Sequence, residues 1–340
     1  MIKEAIALLV QGETLSQEHS ASVMNEIMDN EATEAQIGSF VTALRMKGET
    51  VSEITGMAQT MREKSLNVSI SLKNKKLVDT AGTGGDGQNT MNVSTAAAIV
   101  ASAAGAKVAK HGNRAVSSMC GSADILEAVG VKVDLSPDGV TRCIDEVGIG
   151  FMFAPIFHPA MRYAAAPRRD IGIRTVFNIL GPLTNPANAD AQVLGVADSK
   201  FGDLMAQSLA LLGTQRAMVV HGNDGLDELS ITGATSIWEL SHGEIRSYTI
   251  VPEDVNMKRA ELKDLQSGNL ERSRDIFNSV LEGIPGPALD IVLLNAAATL
   301  VVAEEAENLS VGVARAREAI VSGAAVEKIG AFAKLSQKLS

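Results

Sequence analysis

Four glycines lie within six positions of this chain, between Gly82 and Gly87, and polar side chains follow them directly. The apolar pattern predicts a short strand before the glycines, at residues 76–78, and a helix after them, at residues 95–105. Ser94 is expected to cap that helix. Glycine lets the backbone approach a ligand closely, and a helix start presents N–H groups with a partial positive charge. Strand, glycine loop and helix start together predict a phosphate-binding site.

Two common nucleotide-binding patterns have to be weighed against this loop. Gly82, Gly84 and Gly87 meet the dinucleotide pattern G-x-G-x-x-G. That pattern also requires a helix that opens at the glycines and an acidic residue about 20 positions later. Here the predicted helix opens several residues late, and Lys110 ends the next predicted strand. The P-loop pattern fails because Gln88 stands where lysine is required, so both interpretations are disfavoured.

A second cluster of cations and hydroxyls follows the next predicted strand, over residues 110–124. The cations are Lys110, His111 and Arg114, and the hydroxyls are those of Ser117, Ser118 and Ser122. Parallel strands bring their carboxyl ends to one edge of a sheet, so this segment should lie beside the glycine loop. In a chain of net charge −10, such a local cluster predicts that a small anion binds here.

The chain closely resembles the anthranilate phosphoribosyltransferase family in three of these segments: D-T-A-G-T-G-G-D (79–86), N-V-S-T (92–95) and K-H-G-N-R-A-V-S-S (110–118). The resemblance continues through G-S-A-D-I-L-E (121–127), H-P-A-M-R (158–162), R-R-D-I-G-I-R-T-V-F-N-I-L-G-P-L-T-N-P (168–186) and H-G-N-D-G-L-D-E-L (221–229). These blocks keep the order and spacing of the family over nearly the whole chain. That is more specific than any single glycine motif.

The resemblance implies a reaction and its ligands. The family transfers the 5-phosphoribosyl group from 5-phosphoribosyl 1-pyrophosphate to the amine of anthranilate and releases pyrophosphate, the second step of tryptophan biosynthesis from chorismate. An aromatic amine beside a carboxylate is a poor nucleophile, so positioning and charge stabilisation at the leaving group must carry much of the catalysis. The implied cofactor is Mg²⁺, with two ions per monomer. The implied assembly is a homodimer packed through its helical domain.

The resemblance also implies which residues bind the phosphoribosyl donor. They are Gly82, Gly85, Asp86, Thr90, Asn92, Val93, Ser94, Thr95, Lys110, His111, Gly112, Asn113, Arg114, Ala115, Val116, Ser117, Ser118 and Ser122. Asp86 is an acceptor, so it is expected to order the loop or meet a ribose hydroxyl or a metal-bound water rather than a phosphate.

The acceptor and the metal have their own implied residues. Anthranilate-binding residues are Gly82, Asn113, His158 and Arg168, and the planar guanidinium of Arg168 suits a carboxylate. His111 and His158 are expected to line the acceptor channel, although either could be a structural hydrogen-bonding residue. Metal ligands are expected to be hard oxygens, supplied by Ser94, Asp227 and Glu228. No general base is assigned.

The rest of the chain predicts the architecture that positions these residues. The first 65 residues show helical patterns only, and two capping boxes are expected, at Thr33-x-x-Gln36 and Thr50-x-x-Glu53. Strands then alternate with helices, which is typical of parallel βαβ units. Strands are predicted at 76–78, 106–109, 131–134, 149–153, 192–196 and 217–220, followed by a hairpin of 236–240 and 244–250.

The predicted fold is therefore α/β, with a small N-terminal helical domain and a large α/β domain around a mostly parallel sheet. Residues 1–70 are expected to form the helical domain, joined by helices from about 157–186. Residues 71–340 are expected to form the phosphoribosyl-binding domain. The resemblance places the active site in the cleft between the two domains.

Composition limits the alternatives. The acidic balance, 40 acidic against 30 basic residues, argues against general binding to nucleic acid or to a membrane surface. Only two cysteines are present, Cys120 and Cys143, which favours a reducing cytoplasm, and Cys120 is interpreted as a packing residue. No signal peptide is recognised at the N-terminus, and no apolar run is long enough for a membrane span. These features predict a cytoplasmic enzyme.

Three rival functions remain as alternatives. A pyrimidine nucleoside phosphorylase shares the fold, but its lysine loop differs from K-H-G-N-R. A non-catalytic relative that binds nucleic acid should have lost the glycine loop or the Asp227–Glu228 pair and gained a basic face. An NAD-dependent oxidoreductase would need an acidic residue near position 110. Each lacks a feature that its chemistry requires.

Overall fold

The computed structural model describes residues 1–70, 72, 75–115 and 120–339 of the 340-residue chain. Its N-terminal part is helical: α1 (Ile2–Val10), α2 (Gln17–Met28), α3 (Glu34–Lys47) and α4 (Val51–Glu63). Both predicted capping boxes are confirmed, with Thr33 and Gln36 opening α3, and Thr50 and Glu53 opening α4.

A single sheet of seven strands organises the remainder of the described chain. The strands are β1 (Leu77–Gly82), β2 (Lys107–Gly112), β3 (Ile149–Phe153), β4 (Ala191–Gly195), β5 (Arg216–Gly222), β6 (Thr235–Ser241) and β7 (Glu244–Ile250). Their order is β3-β2-β1-β4-β5-β6-β7; the first five are parallel, and β6 and β7 add the predicted antiparallel hairpin. The mostly parallel sheet is thereby confirmed.

Helices cover both faces of this sheet. They are α5 (Val93–Ala103), α6 (Ser122–Ala128), α7 (Pro137–Glu146), α8 (Ala154–Phe157), α9 (Ala165–Ile171), α10 (Phe177–Leu180), α11 (Gly202–Leu211), α12 (Leu270–Leu281), α13 (Pro287–Val302), α14 (Leu309–Val321) and α15 (Ala324–Lys338). Short 3₁₀ segments lie at Pro159–Ala164, Gly181–Leu183, Ser199–Phe201, Pro252–Val255 and Leu262–Leu265. In the ranges described, no helix combines the length and the apolar character that crossing a membrane requires.

The two faces of the sheet bury their side chains in different clusters. Alternate strand residues such as Val193 and Val220 pack with α5 and α13, whereas Leu194 and Val219 pack with α11 and the N-terminal helices. This alternation follows from the two-residue period of a strand. Residues of the 157–186 segment also belong to the second cluster, which therefore joins that segment to the helical part of the chain.

The site-forming edge follows from the strand order. From β1 the chain moves outwards through β2 to β3, and then returns to the other side of β1 with β4 and β5. In open α/β sheets, ligands bind outside the carboxyl ends of the strands at such a reversal. Here it lies between β1 and β4, whose last paired residues are Gly82 and Gly195.

Two expectations about local structure are wrong. Residues 131–134 form no strand: Val131 and Val133 are buried, and the N–H of Lys132 donates to Ser336 Oγ at 2.9 Å instead of entering a ladder. Helix α5 begins at Val93, so Asn92 and not Ser94 occupies the N-cap position. The predicted bounds of β3 and β7 are confirmed. The bounds of the other strands shift by one to four residues, and the largest shift is in β1, which continues to Gly82 because it pairs with β4 over that length.

Candidate active site

The glycine loop follows β1 and is hydrogen-bonded to the loop that follows β5. The N–H of Gly84 donates to Asp227 Oδ2 at 2.8 Å. A Cβ at Gly82 would lie 2.4 Å from the same oxygen, and a Cβ at Gly195 would lie 1.6 Å from the Asp227 carbonyl oxygen. Glycine at both strand ends is thus what allows the loop after β5 to fold over the β1–β4 junction.

That loop brings two adjacent carboxylates to the strand ends. Burial raises the pKa of Asp227 to about 6, and the nearby Asp86 carboxylate adds to the rise, which the Gly84 N–H and the Arg174 charge oppose. Burial and the Asp227 charge raise the pKa of Glu228 well above its usual value, and Lys110 opposes this. The raised pKa values show that few nearby groups compensate the negative charge of these two carboxylates.

Glu228 reaches the start of α5, where its Oε1 accepts from the N–H of Ser94 at 3.1 Å. A carboxylate is favoured at this place because helix N-terminal N–H groups are unpaired and carry partial positive charge. The first predicted phosphate-binding element and the predicted metal-binding acids therefore meet at one point. The structure brings Ser94, Asp227 and Glu228 together, as the metal prediction requires.

Lys110 lies beneath this junction, at the end of β2, and is buried. Its Nζ donates to the Thr80 carbonyl at 2.5 Å, to Thr80 Oγ1 at 3.2 Å and to Ser94 Oγ at 3.3 Å. Burial lowers the pKa of Lys110, and the charges of Asp79, Glu228 and Asp227 oppose that shift. The three N–H groups of Lys110 therefore all have acceptors within the protein.

The two predicted binding loops are joined where α5 begins. Asn92 Nδ2 donates to the Cys120 carbonyl at 3.0 Å, while its Oδ1 and Thr95 Oγ1 are buried with no hydrogen-bond partner in the described residues. Such atoms are costly unless something else satisfies them. Val93, the first residue of α5, is buried as well. Cys120 is buried, which is consistent with packing, and burial raises its thiol pKa to about 11.

The distal half of the glycine loop is held by the segment before α12. Thr90 forms an isolated antiparallel bridge with Gln266, and the N–H of Met91 donates to the Leu265 carbonyl at 2.9 Å. Asp86 accepts from the N–H of Gln88 at 3.1 Å, so it orders the loop as expected of an acceptor. Burial raises the pKa of Asp86, with Asp224 contributing.

The second predicted loop is described on either side of residues 116–119. Val116, Ser117 and Ser118, three of the predicted donor-binding residues, lie outside the described residues. Asp124 Oδ2 accepts from Ala115 N at 2.9 Å and from Gly121 N at 2.8 Å. This carboxylate therefore fixes both described ends of the loop.

The remaining members of that loop are also placed. Ser122 Oγ donates to the Asn113 carbonyl at 3.2 Å, and a Cβ at Gly112 would meet that hydroxyl at 2.2 Å. Arg114 is exposed and forms ion pairs with Asp124, at 3.2 Å, and with Glu127. Its guanidinium is turned to these acids, so a phosphate contact by Arg114 stays a prediction.

Two histidines predicted near the acceptor lie side by side. The rings of His111 and His158 are both buried, with centroids 5.0 Å apart. His158 Nε2 bonds the Thr184 carbonyl at 3.0 Å, while His158 Nδ1 and His111 Nε2 have no hydrogen-bond partner in the described part of the chain. Burial lowers the pKa of His158 to about 4 and that of His111 well below its usual value. Both rings are therefore neutral at pH 7.

Arg168 lies on α9, in the segment that returns to the N-terminal helices. Its guanidinium lies over the Phe177 ring at 5.2 Å and is half-buried. Throughout the described ranges, no carboxylate lies within ion-pair distance of it. A partly desolvated guanidinium without a protein partner is a suitable clamp for a ligand carboxylate, and burial lowers its pKa.

Sequence reasoning missed two residues at this edge. Gly195 ends β4 and admits the Asp227 backbone; its place at the end of the apolar run A-Q-V-L-G was the available signal. Arg174 reaches from the segment after α9 to the glycine loop, where its Nη2 donates to the Thr83 carbonyl at 3.0 Å. Nothing in the pattern around position 174 shows which element its side chain meets.

The donor set at the junction fits a hard divalent cation. Ser94, Asp227 and Glu228 offer one hydroxyl and two carboxylates, and oxygen ligands are what Mg²⁺ prefers. The two carboxylates have one backbone hydrogen bond each among the described residues, so most of their acceptor capacity is free. Within those residues, no three His, Cys, Asp or Glu side chains are grouped as a complete metal site.

Family models match the chain in two parts. The helical bundle domain of a glycosyl transferase family matches residues 3–65, and the a/b domain of a glycosyl transferase family matches residues 74–326. Fold and site therefore define a two-part glycosyltransferase.

Curated relatives narrow this class. Anthranilate phosphoribosyltransferase of Moorella thermoacetica is 54% identical over 98% of this chain and 97% of its own length. That of Dehalococcoides mccartyi strain 195 is 52% identical over 100% and 99%. The chain belongs to the anthranilate phosphoribosyltransferase family.

Solved structures agree with this assignment. The crystal structure of anthranilate phosphoribosyltransferase from Thermus thermophilus superposes with a TM-score of 0.92 at 43% identity, covering 98% of this chain and 99% of that one. The Saccharomyces cerevisiae enzyme in complex with PRPP and Mg has a TM-score of 0.90 at 29% identity, covering 99% and 98%. The expected helical-plus-α/β architecture is confirmed.

Proposed function

We propose that this chain transfers the 5-phosphoribosyl group from 5-phosphoribosyl 1-pyrophosphate to the amine of anthranilate, giving N-(5-phosphoribosyl)anthranilate and pyrophosphate. The observation that carries the proposal is the junction at the ends of β1 and β4. There a glycine loop, a helix start and an acid pair converge above the buried Lys110. The family relationship over the whole chain agrees with it.

The donor site is assigned to the glycine loop and the start of α5. Backbone N–H groups of the loop would receive the phosphoribosyl group, together with Asn92 Oδ1 and Thr95 Oγ1, which have no hydrogen-bond partner in the described residues. Mg²⁺, proposed as two ions per monomer and held by Ser94, Asp227 and Glu228, would neutralise charge on the leaving pyrophosphate. Lys110 adds positive charge from below without leaving its own hydrogen bonds.

The acceptor site is assigned to the segment that follows β3. Arg168 would bind the anthranilate carboxylate, since it has no carboxylate partner in the described residues and its guanidinium plane matches a carboxylate. The neutral rings of His111 and His158 would form an uncharged wall beside the aromatic ring. Asn113 and the Gly82 backbone are proposed to lie near the amine. Positioning of the weakly nucleophilic amine is then the main contribution of these residues.

Further proposals concern the assembly and the setting. We propose residues 1–70, with about 157–186, as the helical domain and residues 71–340 as the phosphoribosyl-binding domain. We also propose a homodimer through the helical domain and a cytoplasmic location. Sedimentation of the purified protein tests the dimer: a species of twice the 35.6 kDa chain mass is expected.

The reaction is tested by following anthranilate fluorescence. Purified protein, 5-phosphoribosyl 1-pyrophosphate and Mg²⁺ should consume anthranilate, and EDTA should abolish the loss. Aniline, which has the amine but no carboxylate, should react far more slowly at equal concentration because Arg168 has nothing to hold. Binding of 5-phosphoribosyl 1-pyrophosphate with no loss of anthranilate fluorescence would contradict the proposed acceptor.

A further inference from the structure

Arg174 contacts the glycine loop at Thr83 and Gly85, and none of the binding roles assigned above belongs to it. It comes from the segment after α9, whereas the loop follows β1, so the contact joins parts of the chain 91 positions apart. Its Nη2 donates to the Thr83 carbonyl at 3.0 Å. Its charge also opposes the raised pKa values of Asp86 and Asp227, which burial causes.

The Arg174 guanidinium lies so close to Gly85 that no residue with a side chain could stand at position 85 without displacing it. A Cβ built on Gly85 would lie 1.4 Å from Arg174 Nη1 and 2.6 Å from its Cζ. The guanidinium therefore occupies the space that a side chain at position 85 would fill. Gly85 also has a φ of +73°, a conformation that favours glycine.

The residues that follow Arg174 are buried, although the side chain of Arg174 itself is exposed. The next residue, Thr175, is buried, and its N–H donates to Asn178 Oδ1 at 2.9 Å, closing the turn that opens α10. Val176, one position further on, is fully buried. The guanidinium thus reaches the loop from a fixed point of the acceptor-side segment.

Two other cations near the glycine loop already have partners within the protein. Lys110 uses its three N–H groups within the protein, and Arg114 is paired with Asp124 and Glu127. Arg174, in contrast, contacts the loop backbone itself. A planar guanidinium suits this place because it can lie flat on a glycine and donate at its edge.

We propose that Arg174 is a positioning residue of the phosphoribosyl pyrophosphate site, which holds the glycine loop in its binding conformation by packing on Gly85 and donating to the Thr83 carbonyl. The role rests on the proposed function, because it concerns the same donor. It acts on the loop and not on the reacting atoms. Loss of Arg174 should therefore lower the affinity for the donor more than it lowers the rate of transfer in the bound complex.

Steady-state kinetics separate this role from a general structural one. Arg174→Ala should raise KM for 5-phosphoribosyl 1-pyrophosphate about tenfold, as expected for one lost charge-assisted contact, and leave KM for anthranilate within about twofold and kcat within about threefold. Arg174→Lys keeps the charge but not the plane, and KM should stay at least about fivefold raised. Full recovery by lysine, or equal changes in both KM values, would overturn the proposal.

The glycine contact has a matched control within the same loop. Gly87 has a φ of +72° and open space around its would-be Cβ, so Gly87→Ala imposes the same backbone strain without the clash. Calorimetric binding of the Mg²⁺ complex of 5-phosphoribosyl 1-pyrophosphate should be about tenfold weaker for Gly85→Ala than for Gly87→Ala. In an Arg174→Ala background the donor affinities of the two glycine variants should agree within about twofold, because the methyl group at position 85 then has room.

The calorimetric comparison of the two glycine variants does not depend on the transfer reaction. An equal loss for the two alanine variants, or a difference that persists without Arg174, overturns the positioning role. Should the protein bind the donor but transfer nothing to anthranilate, the proposed function fails while the glycine comparison still decides the role of Arg174. Thermal midpoints of the Arg174 variants should match that of the parent protein, since Arg174 is exposed, whereas Gly85→Ala and Gly87→Ala should both lower the midpoint because both place alanine at a positive φ.

Discussion

The helical bundle and the carboxyl edge of the sheet both enclose a glutamate, but they treat its charge differently. In the bundle, fully buried Glu53 accepts from Leu15 N at 3.0 Å, from Thr50 N at 2.9 Å and from Lys47 Nζ at 2.9 Å. At the sheet edge, Glu228 has one hydrogen bond among the described residues, from Ser94 N at 3.1 Å. A carboxylate that stabilises the fold finds its donors inside the protein, whereas one that binds a ligand keeps acceptor capacity free.

The same contrast extends to the cations. Lys47 in the bundle is paired with Glu53, while Arg168 has no carboxylate partner in the ranges described. Buried groups without partners cost free energy, so a fold retains them chiefly where a ligand completes them.

The largest effect is expected from the double variant Asp227→Asn/Glu228→Gln. Two neutral amides cannot hold the metal that neutralises the leaving group, so kcat/KM should fall by about a thousandfold or more. The free energy of unfolding should not decrease, because the raised pKa values of both acids mean that folding opposes their charge. Urea unfolding and the fluorescence assay measure the two quantities, and activity within tenfold of the parent would contradict the assignment.

A smaller loss is expected when Arg168 is replaced by alanine. KM for anthranilate should rise about a hundredfold, the size of a lost bidentate charge-assisted contact, while KM for the phosphoribosyl donor stays near its original value. With aniline as acceptor, the variant and the parent should react alike, because aniline has no carboxylate. A variant that lost activity equally with both acceptors would show that Arg168 acts in another way.

Glu53→Gln should lower the stability and leave the activity unchanged, which is the reverse of what is expected for Glu228→Gln. It removes a buried, fully bonded carboxylate and leaves Lys47 without its partner, which costs about 3 kcal/mol of unfolding free energy. Activity per folded molecule should be unchanged. Glu228→Gln is the matched control, with the opposite profile of low activity and undiminished stability. Similar unfolding free energies for the two variants would remove the distinction between the two regions.

Local signals explain how much of this molecule could be predicted. A capping box needs only residues three positions apart, so Thr33–Gln36 and Thr50–Glu53 could be recognised in the sequence. The glycine loop and acid pair carried a family pattern, which placed Asp227 and Glu228 at the ligand edge.

Tertiary contacts explain the remainder. Residues 131–134 alternate as a strand does, yet Ser336 supplies a hydrogen bond from α15 in place of a neighbouring strand. Arg174 meets a loop 91 positions earlier in the chain, and no local pattern reports such a contact. The N-cap of α5 was misplaced by two residues because Ser94 and Asn92 are both favourable cap types.

The smallest effect concerns acid and the buried His158. Its folded pKa of about 4 lies below the ordinary value near 6.5, so the unfolded chain takes up the proton first as pH falls. Stability is therefore lost as pH falls from about 6.5 to about 4, and His111 adds in the same direction. Between pH 7.5 and 5.0, His158→Gln should lose about 2 kcal/mol less unfolding free energy than the parent protein. Urea unfolding at both pH values measures this, with His242→Asn, a change in an exposed turn, as the control. An identical loss in the parent and in His158→Gln would mean that His158 is protonated equally in both states, and that the sheet edge does not hold it neutral.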